Sequence, residues 1–300
     1  MNPKIVQVDH FSKHYGAMTA VDDISFSVSQ GEIFGLLGPN GAGKTTTLEC
    51  LEGLRSPDAG SLHIAGIDLA RETKRLRDVI GVQLQAGGMP ETITPDEAIK
   101  LFCAYHGVTP RYELLDRFGL TEKRAAQFQQ LSTGQQRRLA LALAIAHEPQ
   151  LLFLDEPTAG LDVGSRVELH RLLHELKASG TTIILATHDM AEAEALADRV
   201  GIMLNGRLVA TGSPLEITAT GAGMSKISVH TNRASLLANT HTFPAVSRRM
   251  IQGDYVIFFS SNIGQTVPAL IDFVTRQGDD LLDLRVERPS LEDRFLELTT

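Results

Sequence analysis

The run Gly38-Pro39-Asn40-Gly41-Ala42-Gly43-Lys44-Thr45 has the residue types and spacing of a P-loop, a glycine loop that cradles phosphates. Glycines let successive backbone N–H groups converge on phosphate oxygens, and a helix starting at the loop's end adds the positive end of its dipole. Lys44 is placed to reach β- and γ-phosphates, Thr45 offers a hydroxyl to Mg²⁺, and Thr46 continues the helix entry. The context agrees: apolar Ile33 to Leu37 precedes the loop and the helix-like TTLECLEGL follows it.

Four apolar residues, LLFL, lead into Asp155 and Glu156. Two carboxylates are thus expected at the C-terminal end of a buried strand, where open α/β sheets present their ligands. Asp155 suits a Mg²⁺ shell, and Glu156 suits a base that orients or deprotonates an attacking water. Two acids after a strand also read as a solvated strand end, but the phosphate loop upstream favours chemistry. His188 follows a third apolar strand, IILAT, within reach of a γ-phosphate or that water; read alone, it is a strand-end or cap residue.

The elements that must position these groups alternate in type. KIVQVDHF and DDISFSV alternate polar and apolar residues, as half-buried antiparallel strands do. EIFGLLG, VIGVQL, QLLFLDE, TTIILATH and RVGIMLNG are nearly all apolar, as buried parallel strands are, with helix-like segments between several of them. A helical stretch opens at Thr94, Pro95 and Glu97 with the signature of a capping box and runs to about Pro149. Within it LALALAIA alternates with a strand's period, but leucine and alanine favour helix and β-branched residues are nearly absent. From Gly212 to Lys226 the chain reads as a linker. Beyond it KISVHT, YVIFFS, an amphipathic VPALIDFVTRQG and LLDLRVER make an α+β pattern, closed by a helix opening at Ser290 with Asp293 three residues on. Two domains are therefore expected: 1–215, with a helical subdomain at about 90–149, and a small accessory domain at 216–300.

Composition narrows the function. Lysine and arginine number 28 against 36 acidic residues, a net charge of −8, which argues against a general phosphate-backbone binder, so no nucleic acid partner is expected. The tail from Gly221 carries 8 basic and 9 acidic side chains and is not a charged arm. Cys50 and Cys103 lack partners at metal-ligand spacing and read as buried thiols. The opening MNPKIVQVDHF has no secretory apolar stretch, and the longest apolar run, Leu139 to Ala146, is far short of the ~20 residues that span a bilayer, so a soluble chain is expected.

With the phosphate loop, LSTGQ at Leu131 to Gln135, LDEP at Leu154 to Pro157 and His188 in that order, the chain resembles the nucleotide-binding subunits of ATP-binding cassette (ABC) transporters over about residues 3 to 215. LSTGQ discriminates, because kinases, GTPases and helicases share the other two motifs. The resemblance implies a P-loop NTPase core with an antiparallel β subdomain and a helical subdomain, an ATPase using ATP and Mg²⁺. It implies a homodimer formed on ATP, in which Ser132, Gly134 and Gln135, at the start of a helix expected over Gln135 to Ala146, face the partner's ATP. It further assigns Tyr15 to stacking on adenine, Gln85 to linking Mg²⁺ with the membrane-facing surface, and Asp162 to bridging the dimer. Each also has a plainer reading, as a turn aromatic, a strand end and a helix cap respectively.

Two departures stand out: Thr133 occupies the first glycine of the usual LSGGQ, and the Gly107 to Gln130 segment is short, as though one helical element is trimmed. VERPSLEDRFLELT, Val286 to Thr299, resembles the ending of drug-resistance and polyketide-export ATPases that work with separate membrane permeases. That subgroup implies export through a permease on another chain, from the cytoplasmic face of the membrane. The alternative, a soluble ABC ATPase acting on nucleic acid or the ribosome, fits less well with one cassette, no sustained heptads and the negative charge.

Overall fold

The computed structural model describes residues 3–83, 88–219, 224–237 and 241–299. The chain divides into two compact units, Met1–Pro214 and Leu215–Thr300.

The first unit opens with the long strands β1 (Lys4–Tyr15) and β2 (Met18–Ser29), followed by β3 (Ile33–Leu37), the glycine loop and helix α1 (Lys44–Leu51). Then come β4 (Ala59–Ile64), β5 (Ile67–Asp68), the single turn α2 (Thr73–Leu76) and β6 (Ile80–Gln83). β1 and β2 pair antiparallel, and β4 and β5 extend them into a four-stranded sheet ordered β2-β1-β4-β5. The alternating pattern of β1 and β2 foretold this pairing, but β4 and β5, in the Gly-containing AGSLHIAGID, gave no run strong enough to read. Apolar residues of this sheet, among them Phe11 and Ile24, share one core with Phe34 of β3 and Leu48 of α1. Phe26 stacks on Phe34, with ring centroids 5.2 Å apart.

Helices α3 (Pro95–Tyr105), α4 (Glu113–Arg117) and α5 (Thr133–Ala144) follow. Thr94 caps α3 in the expected capping box with Glu97. LALALAIA is helical as far as Ala144, and Leu139, Leu141 and Leu143 are all buried. α5 begins at Thr133, two residues earlier than expected, because Ser132 accepts the Gln135 N–H and Gln135 reaches back to the Ser132 N–H. The short segment before α5 holds the five-residue α4 and two 3₁₀ turns.

Next are β7 (Leu151–Asp155), α6 (Val163–Ala178), β8 (Thr182–Thr187), α7 (Met190–Leu196), β9 (Arg199–Leu204) and β10 (Arg207–Gly212). With β3 and β6 these strands form a sheet ordered β10-β9-β3-β8-β7-β6, parallel throughout except for β10. Every residue of β3 and β8 is buried, as expected of strands covered on both faces. In register Leu37 lies beside Thr187, and Asp155 beside Ala186. The glycine loop, Glu156 and His188 therefore leave the same edge of the sheet.

The expected linker is partly helical: α8 (Pro214–Ala219) buries Ile217. The second unit continues with β11 (Ser225–Thr231), β12 (Val246–Gln252), β13 (Tyr255–Ser260), α9 (Ile263–Arg276), β14 (Leu281–Glu287) and α10 (Leu291–Thr299). Its sheet, ordered β12-β13-β11-β14, is wholly antiparallel. α9 supplies Leu270 and Val274 to a core with Ile227, Val229, Val256 and Phe258. At the entry to α10 the Asp293 carboxylate accepts the Ser290 N–H and the Ser290 hydroxyl accepts the Asp293 N–H. Among the described residues no helix is long and apolar enough to cross a membrane.

Candidate active site

A cleft of about 340 Å³ opens at the C-terminal edge of the parallel sheet, lined by Asn40, Lys44, Thr45, Asp155, Glu156 and His188, with Gly41, Gly43 and Thr46 of the loop. The loop is built for close approach. A Cβ on Gly38 would meet the Met203 carbonyl oxygen at 2.3 Å, and one on Gly43 the Ala20 carbonyl oxygen at 2.5 Å. Both glycines also have positive φ, +154° and +102°. Ala42 is buried beneath the loop.

Lys44 starts α1 and turns back over the loop, donating to the carbonyls of Gly38 at 2.7 Å and Pro39 at 3.2 Å. Burial lowers its proton affinity, while Glu156 and Asp155 raise it. Thr45 Oγ1 donates to Asp155 Oδ2 at 3.2 Å. Burial holds the Asp155 carboxyl above the usual aspartate range, with the Thr45 hydrogen bond opposing it. A hydroxyl and a carboxylate in contact at the base of a phosphate loop are hard oxygen donors of the kind Mg²⁺ takes. Gln85, the third expected ligand, lies outside the described residues; β6 ends two positions earlier at Gln83, whose Nε2 donates to the Arg137 carbonyl at 3.4 Å.

Glu156 is 8% exposed and sits at φ 48°, in the left-handed region that non-glycine residues seldom adopt. Its Oε1 accepts the His188 N–H at 3.1 Å and lies 2.8 Å from His188 Nδ1. Because a carboxylate offers no proton, the Nδ1–H tautomer is the one that satisfies this contact. Oε2 accepts from the Thr187 hydroxyl at 3.4 Å. The base candidate is thus held on both oxygens by β8 and its following loop. Thr187 was missed in the sequence because its role exists only where β7 and β8 end side by side. Met18, Thr19 and Ala20, which line the cleft from the start of β2, carry no motif, although Met18 is 61% exposed.

The remaining expected residues stand apart from this cleft. Tyr15 is not among the lining residues; its ring lies against Lys13 and Arg55, 5.6 and 5.3 Å from its centroid. Ser132 caps α5, and Thr133 beside it is exposed. Gly134 has a packing reason to be glycine, since a Cβ would come within 2.7 Å of Ser165 Oγ on α6. Asp162 caps α6, accepting from Ser165 N–H at 2.9 Å and Ser165 Oγ at 2.8 Å, which realises its plainer reading. Among the described residues no group of three or more His, Cys, Asp or Glu side chains is placed to hold a metal. Cys50 and Cys103 are buried, and burial pushes the Cys50 thiol up to about 11.

Residues 21–159 match the family described as ABC transporter. The chain is 38% identical over 301 residues to a Nod factor export ATP-binding protein I of Paraburkholderia xenovorans, covering 98% of this chain and 96% of that one. It is 33% identical over 305 residues to the linearmycin resistance ATP-binding protein LnrL of Bacillus subtilis, covering 98% of both. A dimeric ATP-binding cassette in a post-hydrolysis state, bound to ADP and phosphate, superposes with a TM-score of 0.64 at 25% identity, covering 69% of this chain and 98% of that one. The phosphate loop, the paired Glu156 and His188 and these likenesses agree, and the chain belongs to the ABC transporter family as an ATP-binding, ATP-hydrolysing cassette.

Proposed function

We propose that this chain powers export of a drug-, lipid- or polyketide-like molecule through a separate membrane permease, working as an ATP-dependent homodimer on the cytoplasmic face of the membrane. The roles named for the relatives, Nod factor export and linearmycin resistance, support the direction and the substrate class. The dimeric cassette supports the pairing of two copies.

The observation that carries the chemistry is the convergence of Lys44, Thr45, Asp155, Glu156 and His188 on one cleft. The loop N–H groups and Lys44 hold the triphosphate, and Tyr15 stacks on adenine. Thr45, Asp155 and Gln85 would hold Mg²⁺, which when bound neutralises charge on the β- and γ-phosphates. Glu156, fixed by His188 and Thr187, takes a proton from the water as its oxygen attacks the γ-phosphorus and ADP leaves. His188 steadies that carboxylate and reaches the γ-phosphate. Ser132, Gly134 and Gln135 of each copy close on the ATP of the other, and Asp162 lies at the joint.

Glu156→Gln keeps the shape and removes the base, so turnover should fall by roughly 10²–10⁴ while ATP still binds. Light scattering should then show a dimer accumulating with ATP, and adding Ser132→Arg should abolish it. Wild-type turnover in Glu156→Gln, or a monomer at saturating ATP, overturns the corresponding half of the reading. Purification from native membranes with a polytopic partner supports the permease, whereas recovery with ribosomes overturns it.

A further inference from the structure

Beneath the cleft lies a carboxyl group that the mechanism above does not use. Glu192, in the first turn of α7, is 2% exposed. Among the described residues neither of its carboxyl oxygens closes a hydrogen bond, although the hydroxyls of Thr187 and Thr158 are near enough to favour its charged form. These two threonines are themselves buried, and they belong to the two loops that matter: Thr158 follows Glu156, and Thr187 precedes His188. Burial of Glu192, reinforced by the anionic Asp189 on the adjoining turn and by Glu156, raises its proton affinity and favours the neutral acid. Arg166 faces the other side of Asp189, at 3.7 Å.

Donor counting shows why this matters. The Thr187 hydroxyl accepts the Asp189 N–H at 3.0 Å and has one proton to give, which goes to Glu156 Oε2. A second carboxylate beside it would compete for that proton. A neutral carboxylic acid instead has a proton of its own to donate, and polarises Thr187 toward Glu156.

We propose that Glu192 is a positioning residue for ATP hydrolysis: its buried acid group, seated beside the hydroxyls of Thr158 in the Glu156 loop and Thr187 before His188, leaves the Thr187 proton to Glu156. This rests on Glu156 being the base.

The test compares Glu192→Leu with Glu192→Gln in the full chain, measuring ATP turnover, KM, ATP binding and thermal melting. Glu192→Leu removes the donor and should lower kcat about tenfold, the worth of one hydrogen bond in a buried network, with KM unchanged. Glu192→Gln retains a neutral donor and should restore most of kcat. In a Thr187→Val background Glu192→Leu should add nothing further, since the link it breaks is already gone. Wild-type kcat in Glu192→Leu, equal loss in Glu192→Gln, or full additivity with Thr187→Val overturns the proposal. If Glu192→Leu does not fold, Thr158→Val replaces it, with the same kcat loss expected and wild-type kcat overturning the link. Wild-type turnover in Glu156→Gln overturns the base assignment and this proposal together; an inactive Glu156→Gln beside a fully active Glu192→Leu overturns only this one.

Discussion

In the first unit β3, β7 and β8 run the same way, so the phosphate loop, Glu156 and His188 leave one edge of the sheet and meet in one cleft. In the second unit all four strands alternate in direction, and polar groups are taken up locally. Ser260 and Thr266 pair at 2.6 Å, Tyr255 donates to Asp283 at 2.8 Å, and Asp279 accepts the N–H groups of Arg233, Ser235 and Asp280. A parallel sheet gathers its strand ends and leaves their side chains facing a ligand. An antiparallel sheet divides its ends between two edges, and its buried polar groups serve the turns.

That contrast can be broken by experiment. Phe258 is 1% exposed and packs edge-on against Phe243, so Phe258→Ala should cost about 3–5 kcal/mol in the second unit's core. Calorimetry should show one transition falling while ATP affinity holds; a parallel loss of ATP binding would mean the units are not separable. Within the first unit, Tyr15→Ala should weaken ATP by about 1–3 kcal/mol if the ring closes on the base, the range for base–aromatic stacking. Unchanged affinity, read by titration, leaves Tyr15 to Lys13 and Arg55.

A smaller effect concerns Glu52, just after α1, whose carboxyl is raised to about 7 by burial first and then by Asp155 and Glu49. A raised folded-state value contributes stability that is fully present below about pH 4.5 and is lost as pH climbs through about 7. Glu52→Gln should flatten that decline, gaining about 1–2 kcal/mol over wild type at pH 8 relative to pH 5 in denaturant titrations. Equal pH slopes would show that the carboxyl is solvated. The smallest change is expected from ending the chain after Ala219, which should leave ATP affinity as it was. A soluble, monodisperse truncated protein that binds no ATP would deny the first unit its independence.

The edge that carries the candidate site was legible because each motif is a short run fixed to a strand end: GPNGAGKT after β3, LDEP at the end of β7, His188 after β8. Apolar strands covered on both faces announce themselves without alternation. β5 and β12 escaped because edge and two-residue strands carry mixed polarity, VSRRMIQ of β12 being largely exposed, and β4 because Gly60 and Ser61 break the apolar pattern of AGSLHI. Thr187 and Glu192 escaped for another reason: one supports Glu156 across neighbouring strands and the other lies under both loops, and neither relation has a sequence spacing. Gly134 shows the reverse, a motif residue that also answers to packing against Ser165.

With Glu156 as the proposed base, its left-handed backbone sets the fold and the reaction at odds over one position. Glutamate tolerates that conformation at about 1–2 kcal/mol, whereas asparagine and glycine enter it far more readily. A library of this chain selected for heat resistance alone should drift toward asparagine at 156 and lose turnover as it does so. Only selection that also demands hydrolysis should keep the longer carboxylate, so enrichment at this codon reports which pressure was applied.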